Sequence, residues 1–405
     1  VNILYLSYTG LAEPLGQSQV LGYLKILSRK HAITLLTFER AKDTDDRAQT
    51  AQLEEACFSA GIKWKRLRYH HRPRWLATVW DLLVFLIVTA REVTRSRPDI
   101  IHARSYFPSL IAAAVGALFR VPFIFDMRGF WPEELIVSGR LKRDSWTHAM
   151  IAAAERFCLR RAAAVVSLTQ AAVSYMLARK EELGLEGKKL VVIPTCADLR
   201  LFHPDEAHRS NGLKVVGTAG TILSGWFRFP WLASFFRAAQ ERDSDIRLDI
   251  VTRDDERQIR SRLAAAGVHD ARLTISSRSP AEVAAELRRM DALVMFFETG
   301  LAKLASCPTR MAEALGCGLP VIGNAGVGDV ADIIISRRVG VIVSDPSPEA
   351  MATALAEIDA LLADSDLGNR CRATAEELFS VETGAAAYDR LYAEIAKSPK
   401  SEKPL

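Results

Sequence analysis

Apolar and polar residues alternate in short blocks along most of the chain. Runs such as Val1-Asn-Ile-Leu-Tyr-Leu6, 32–38, Ile100-Ile-His-Ala103, Phe123-Ile-Phe125, Ala164-Val-Val-Ser-Leu168 and Val191-Val-Ile193 are short, mostly apolar and bounded by polar residues. Such runs predict buried strands, and 62–68 reads as a further extended segment. Between them the apolar positions fall at helical spacing, over 19–30 and 51–60 for example. Strand alternating with helix predicts an α/β protein with parallel, doubly wound sheets. The rhythm breaks over 194–212, which is polar and irregular. It then restarts with strand-like runs at 214–218, 247–251, 273–275, 292–297, 319–322 and 339–343. Two Rossmann-like halves follow from this layout, with ligands expected beyond the C-terminal ends of the strands. A helix is expected over 388–395 and disorder in the polar tail 397–405.

Composition narrows the class. The chain has 405 residues, 49% of them hydrophobic, enough for two full domains. Its six cysteines (57, 158, 196, 307, 317 and 371) form no Cys-x-x-Cys pair, so neither a disulfide framework nor a zinc site is implied and a reducing cytoplasm is expected. No charged segment with an apolar core precedes the first strand, so no secretory leader is expected. The net charge of +5 is unevenly spread: residues 1–200 hold 29 Lys and Arg against 19 Asp and Glu, while the remainder is acidic. A basic half suits an anionic partner such as phospholipid or a lipid pyrophosphate. Nucleic acid is not expected, because no binding motif or aromatic–basic repeat of that kind is present.

Residues 69–92 sharpen the membrane question. Tyr69-His-His-Arg-Pro-Arg-Trp75 is basic and aromatic, and Trp80-Asp-Leu-Leu-Val-Phe-Leu-Ile-Val88 follows. The apolar run is far below the roughly 20 residues needed to span a bilayer. Either it is a core helix with a solvated lead-in, or it is a monotopic patch. In the second case Trp75 and Trp80 sit in the interface, with Arg72 and Arg74 on anionic headgroups.

The stretch with the most chemistry is Lys303-Leu-Ala-Ser-Cys-Pro-Thr-Arg-Met-Ala-Glu-Ala-Leu-Gly-Cys-Gly-Leu-Pro-Val-Ile322. It predicts a short helix with Pro308 in the first turn, Ser306 or Cys307 at the cap, and Gly316 and Gly318 at the exit. A helix start can hold a phosphate, and Lys303 and Arg310 add full charges beside it. Thr309 and Glu313 share one face, so a carboxylate lies one turn below that end. The plain alternative is an ordinary βαβ crossover. Earlier in the chain, Asp126-Met-Arg-Gly-Phe-Trp-Pro-Glu-Glu134 begins where a strand ends and concentrates carboxylates, an arginine and aromatics. It reads either as a buried Asp126–Arg128 pair bracing a loop or as part of an active site. His102, at a strand end, is read as a packed histidine or a catalytic one. In the first loop Gly16 allows close backbone approach, and Gln17 or Ser18 is a candidate helix cap.

The 303–322 segment resembles the donor-site signature of glycosyltransferase family 4, retaining enzymes of GT-B fold. The resemblance implies two Rossmann-like domains facing a central cleft. Glu313 matches the glutamate that holds the nucleotide ribose ahead of "G-x-P-V-I". Ala305 stands where the family's second, sugar-contacting glutamate would be. Ser-Cys-Pro-Thr-Arg-Met-Ala-Glu is similar to a subgroup with "S-S-P-T-K-x-x-E". "Ile-Pro-Thr-Cys-Ala-Asp198-Leu-x-x-Phe202" resembles the family's interdomain segment. In the family the first loop reaches the donor diphosphate, which draws attention to Gly16. The family's loop histidine falls on Arg128, which cannot act as a base, so any base is Asp126 or Glu134. The stretch Gly217-Thr-Ala-Gly-Thr-Ile-Leu-Ser-Gly-Trp-Phe-Arg228 replaces "G-R-L-x-x-x-K-G", with Thr221 at the arginine and Arg228 standing in for the lysine.

The resemblance therefore implies an acceptor-binding domain over 1–194, a nucleotide-sugar domain over 195–378 and a helix over 379–396 that crosses back to the first. The implied reaction moves a sugar, with retention, from a nucleotide diphosphate sugar to a hydroxyl of a glycan or lipid-linked acceptor. Cell-envelope or exopolysaccharide synthesis at the inner face of the membrane is the implied setting. Arg228, Arg253, Lys303, Pro308, Thr309, Arg310 and Glu313 are the donor-site candidates; His102, Asp126, Arg128 and Glu134 are the catalytic ones. No cofactor or metal is expected: Asp243-Ser-Asp245 and Asp364-Ser-Asp366 lack a strand-end context and read as solvated charge. The rivals are a GT-B nucleotide-sugar epimerase and a non-catalytic protein that keeps the fold.

Overall fold

The computed structural model of the protein describes residues 1–41, 46–205 and 212–397. All but Lys397 of the polar tail 397–405 lies outside the described residues. The chain divides into two compact units, one formed by Val1–Pro194 with the chain from Val381 on, the other by Thr195–Ser380.

The first unit is built on seven parallel strands: β1 (Asn2–Ser7), β2 (Ala32–Glu39), β3 (Lys63–Arg68), β4 (Ile100–Arg104), β5 (Phe123–Asp126), β6 (Ala164–Ser167) and β7 (Lys189–Val192). Their order is β3-β2-β1-β4-β5-β6-β7. The order reverses between β1 and β4, so the connections leaving those two strands diverge and open a crevice at their C-terminal ends. The inner strands are buried along almost their whole length because both faces are covered by helices, and their polar side chains, such as Glu39, His102 and Asp126, are buried with them. The closing helix, Val381–Lys397, is longer than the 388–395 expected and belongs to this unit. Its Tyr388 and Tyr392 are buried against His102, at ring distances of 5.0 and 5.8 Å.

The second unit holds six parallel strands: β8 (Val215–Ala219), β9 (Arg247–Val251), β10 (Leu273–Ser276), β11 (Ala292–Met295), β12 (Val321–Asn324) and β13 (Gly340–Val343). The order is β10-β9-β8-β11-β12-β13, with the reversal between β8 and β11. Successive side chains of a strand point to opposite faces, and the core divides accordingly. Val216, Ala292, Val294 and Ile322 pack into one apolar layer. Val215, Leu293, Met295 and Val321 pack into the other. β12 is shifted from the expected 319–322 to Val321–Asn324. Pro320, which has no N–H to give a ladder, stays just outside it.

Candidate functional site

In the second unit the loops after β8, β11 and β12 converge at the strand-order reversal. The loop after β8 is pinned from below: Asp254 accepts from the amides of Ile222 (2.6 Å) and Leu223 (2.9 Å). It is also stitched to the end of β11, where the amide of Arg228 donates to the Phe296 carbonyl and that of Glu298 to the Trp226 carbonyl. Asn324, buried at the end of β12, accepts from the Phe297 amide (2.8 Å) and donates to its carbonyl (3.0 Å). Sequence reasoning missed Asn324 and Asp254, since single polar residues give no signal until their partners are known. Gly326 and Gly328 have positive φ, and the Gly328 amide donates to the Lys303 carbonyl.

The helix at the heart of the site runs Thr309–Gly316. It begins one residue later than expected. Pro308 is itself the cap, with extended backbone, and no capping side chain hydrogen bond is made there, so Ser306 and Cys307 do not play that role. Its exit follows the glycine pattern. Gly318 has φ 75°, its amide donates to the Leu315 carbonyl and that of Leu319 to the Ala314 carbonyl, which together make a Schellman motif.

Arg310 and Glu313 occupy one side of this helix. The Arg310 guanidinium lies over the rings of Phe227 (5.5 Å) and Phe297 (5.2 Å). Its Nη2 donates to the Thr221 carbonyl at 3.3 Å, while Nη1 is buried without a hydrogen-bond partner among the described residues. A Cβ on Gly220 would lie 2.5 Å from Nη2, so this glycine makes room for the arginine. Burial pushes the Arg310 pKa down to about 10, against the opposing pull of Glu313 and Asp254. Burial likewise pushes the Glu313 carboxyl up to about 7, with the Arg310 charge only partly offsetting it. Among the described residues Glu313 makes no side-chain hydrogen bond, and the amides of Thr309 and Arg310 find no acceptor.

The remaining donor candidates fall around this pair. The ammonium of Lys303 sits 4.0 Å from the centre of the Trp226 ring. Arg228 donates from Nε to Glu298 (3.2 Å) and from Nη2 to Thr299 (3.1 Å), and lies over Trp231. Arg253 is exposed on the loop after β9. Ala305 is fully buried.

In the first unit the catalytic candidates form an enclosed charge cluster. Asp126, the last residue of β5, is 0% exposed. It receives Arg128 Nη1 at 3.4 Å and His102 Nε2 at 3.4 Å, and Arg104 Nη1 lies 3.7 Å away. Burial opposes its ionisation, but Arg128, His102 and Arg104 outweigh that and hold the carboxyl well below the usual range. Burial lowers the His102 pKa. The neutral ring donates from Nε2 to Asp126 and accepts at Nδ1 from the Tyr392 hydroxyl, 2.6 Å away. This is the geometry of a buried, braced pair. Glu134 curls back over Gly129, where an added Cβ would lie 2.7 Å from its Oε1.

In the first loop, Gln17 and Ser18 are not caps. The chain is helical from Pro14, passes through a π turn over Gln17–Leu21 and continues over Gly22–Leu27. Gly16 approaches the backbone closely, since its Cβ would lie 2.0 Å from the Gly10 carbonyl oxygen. Gly16→Ala is expected to displace this loop and lower stability by about 1–3 kcal/mol, read by denaturant titration. An unchanged midpoint would mean that the two segments separate freely.

The basic–aromatic segment splits in two. A helix over Arg74–Ser96 carries Trp75 (70% exposed), Leu76, Val79, Trp80 (58%), Leu83 and Ile87 on one solvent-facing stripe. Arg72 is exposed beside it, and the side chain of Arg74 lies outside the described residues. Among the described residues no helix is long and apolar enough to cross a membrane. The two Asp-Ser-Asp sequences are engaged with arginines, Asp245 with Arg272 (2.7 Å) and Asp364 with Arg370 (2.8 Å).

Residues 19–196 match the family described as glycosyl transferase 4-like domain, and residues 214–360 match glycosyl transferases group 1. No curated protein matches the chain in sequence. Solved structures match it over almost its full length. Sucrose-phosphate synthase from Thermosynechococcus elongatus is 16% identical with a TM-score of 0.68, over 98% of this chain and 100% of that one. HepE from Anabaena, in complex with UDP-glucose, is 16% identical with a TM-score of 0.66, over 97% and 99%. The lipopolysaccharide outer core galactosyltransferase WaaB is 13% identical with a TM-score of 0.65, over 97% and 100%. With its two parallel α/β sheets and these domain matches, the chain is a glycosyltransferase of GT-B fold, a glycosyl transferase 4-like domain followed by a group 1 domain.

Proposed function

We propose that the second unit binds a nucleotide diphosphate sugar and that the enzyme transfers the sugar, with retention of anomeric configuration, to a hydroxyl of a glycan or lipid-linked acceptor held by the first unit. The observation that carries this reading is the Arg310–Glu313 pair. A partly buried carboxylate without a hydrogen bond is costly unless a ligand supplies donors, and vicinal ribose hydroxyls are two such donors. One turn away, the free amides of Thr309 and Arg310 suit diphosphate, and Lys303, Arg228 and Arg253 supply further positive charge. Stabilising the leaving diphosphate in this way lowers the barrier electrostatically without a metal ion or a strong protein base. The HepE structures that hold UDP and UDP-glucose support a uridine nucleotide as the first to test. The subgroup with an S-x-P-T-[KR]-x-x-E donor motif belongs to the same proposal.

A thermal-shift panel of UDP, GDP, ADP and their sugar conjugates tests it. One nucleotide series is expected to raise the melting temperature of the wild type and to lose that effect in Glu313→Ala. A shift that survives the substitution would remove Glu313 from the ribose role. Product analysis with and without acceptor separates transfer from epimerisation.

The exposed stripe on Arg74–Ser96 supports peripheral contact with an anionic membrane, where lipid-linked acceptors in cell-envelope or exopolysaccharide synthesis reside. Replacing Trp75 and Trp80 with Ser and Arg72 with Ala is expected to cut co-sedimentation with phosphatidylglycerol vesicles at least several-fold. Sedimentation equal to that of the wild type would remove the membrane role.

A further inference from the structure

We infer that the C-terminal edge of the first unit's sheet carries a carbohydrate-ring subsite, in which His70 accepts a hydrogen bond from a sugar hydroxyl and a row of aromatic side chains covers the ring's apolar face. The inference rests on the glycosyl-transfer reading for its ligand class and gives the acceptor side of that reading named residues.

The anchor is Asp81, on the helix Arg74–Ser96 and 0% exposed. Its carboxylate accepts from three groups: the His70 amide (3.0 Å), His70 Nδ1 (2.6 Å) and the Tyr8 hydroxyl (3.3 Å). A carboxylate oxygen accepts, so Nδ1 carries the proton, and in the neutral ring Nε2 presents its lone pair. The His70 side chain is 40% exposed, and Nε2 has no partner among the described residues. A buried carboxylate that fixes the tautomer and orientation of a half-exposed imidazole leaves one aimed acceptor at the surface.

The surroundings of that acceptor are aromatic. Tyr69 packs edge-on against Tyr8 (5.7 Å), Tyr8 against Phe107 (5.2 Å), and Phe107 against Trp131 (5.3 Å). All four rings are half-buried. Each stands just past a strand. Tyr8 follows β1 and Tyr69 follows β3, while Phe107 and Trp131 open the helices after β4 and β5. Tyr8 and Phe107 therefore meet where the strand order reverses, the position at which open α/β sheets take ligands. An aromatic platform with a few oriented polar groups is the common form of a small-molecule site. A sugar ring offers the complement, an apolar C–H face and hydroxyls at its edge.

The test is saturation-transfer NMR on the full chain with methyl glycosides of glucose, galactose, mannose and N-acetylglucosamine. At least one is expected to receive saturation at its ring protons. That signal is expected to fall at least fivefold in Trp131→Ala and in His70→Phe, which keeps the ring shape without the acceptor. It is expected to recover in His70→Gln, whose amide oxygen accepts. Melting temperatures close to that of the wild type certify the folded state of each variant, and the two His70 variants decide the question if Trp131→Ala does not fold. No saturation with any of the four glycosides overturns the inference, as do equal signals in wild type and variants or displacement of the glycoside by UDP alone. The thermal shift with UDP is read on the same samples. GDP and ADP are read beside it, and absence of a shift with all three, with glycoside binding kept, overturns the donor-site reading alone, while the reverse result overturns the subsite alone.

Discussion

Glu313→Gln is expected to stabilise the ligand-free protein at pH 8 while weakening nucleotide binding by at least tenfold. Burial holds the folded carboxyl near 7, against 4.5 for an ordinary glutamate. Between those values the folded protein keeps a proton that the unfolded chain has released, so stability falls as pH rises through that window. Above about 7 the full penalty is present, on the order of 1–3 kcal/mol for a shift of this size. Glutamine keeps the shape and carries no charge. Its advantage should therefore be near zero at pH 4.5 and grow to several degrees of melting temperature at pH 8. Nucleotide binding should change in the opposite sense. Glutamine keeps one acceptor oxygen and loses the other, and a hydrogen bond to a charged group is worth about 1.5–3 kcal/mol, so the substitution costs a factor of about ten to a hundred in affinity. Calorimetry with UDP at pH 6 and pH 8, in wild type and variant, separates the titration of Glu313 from that of the nucleotide. A variant that is less stable at pH 8, or that binds as tightly as the wild type, would refute the assignment.

The second large effect is expected at Asp126. Asp126→Ala leaves the guanidinium groups of Arg104 and Arg128 without their shared counter-charge; among the described residues, Arg104 Nη1 and Arg128 Nε are already buried without hydrogen bonds. Removing one partner of a buried ion pair costs about 3–5 kcal/mol. The pH signature follows from the direction of the shift. The folded carboxyl is held below its ordinary value of 3.8, so its contribution is present above that value and is lost as pH falls through the folded pKa. Chemical denaturation at pH 7 should thus show a large loss in Asp126→Ala and in the isosteric Asp126→Asn. At pH 3 the gap between wild type and Asp126→Asn should narrow. A loss below 1 kcal/mol at pH 7 would mean that the cluster does not brace the fold. The same experiment bears on catalysis: a carboxyl locked as a counter-ion is a weak base.

Short apolar runs placed most of the strands because a β-strand buried on both faces needs four or five consecutive apolar residues, whereas the longer runs over 82–88 and 110–119 are helical and β3 is polar. Boundaries were less legible. β11 stops at Met295 and not at 297, because Phe296 and Phe297 leave the ladder to pair with the loop after β8. The helix Thr309–Gly316 was visible from its Pro and Gly punctuation, yet the cap fell on Pro308 itself. Helical spacing put the Glu313 carboxylate one turn below the helix start and the resemblance implied a ribose for it, but nothing local marks a glutamate as lacking hydrogen bonds.

Sequence by itself determined the α/β class, the two strand–helix series and the break between them, since these depend on short-range hydrophobic periodicity. It also put Thr309 and Glu313 on one helix face, because helical spacing fixes which residues share a face. Tertiary structure alone decided which polar groups are satisfied. Asp126 is enclosed by Arg104, Arg128 and His102, and His102 in turn takes the hydroxyl of Tyr392, 290 residues further on. Within one basic–aromatic segment, Tyr69 and His70 turn to the strand ends while Trp75 and Trp80 face solvent. Burial and hydrogen bonding are set by residues far apart in the chain, and the free energy of a charge depends on those partners more than on its neighbours in sequence.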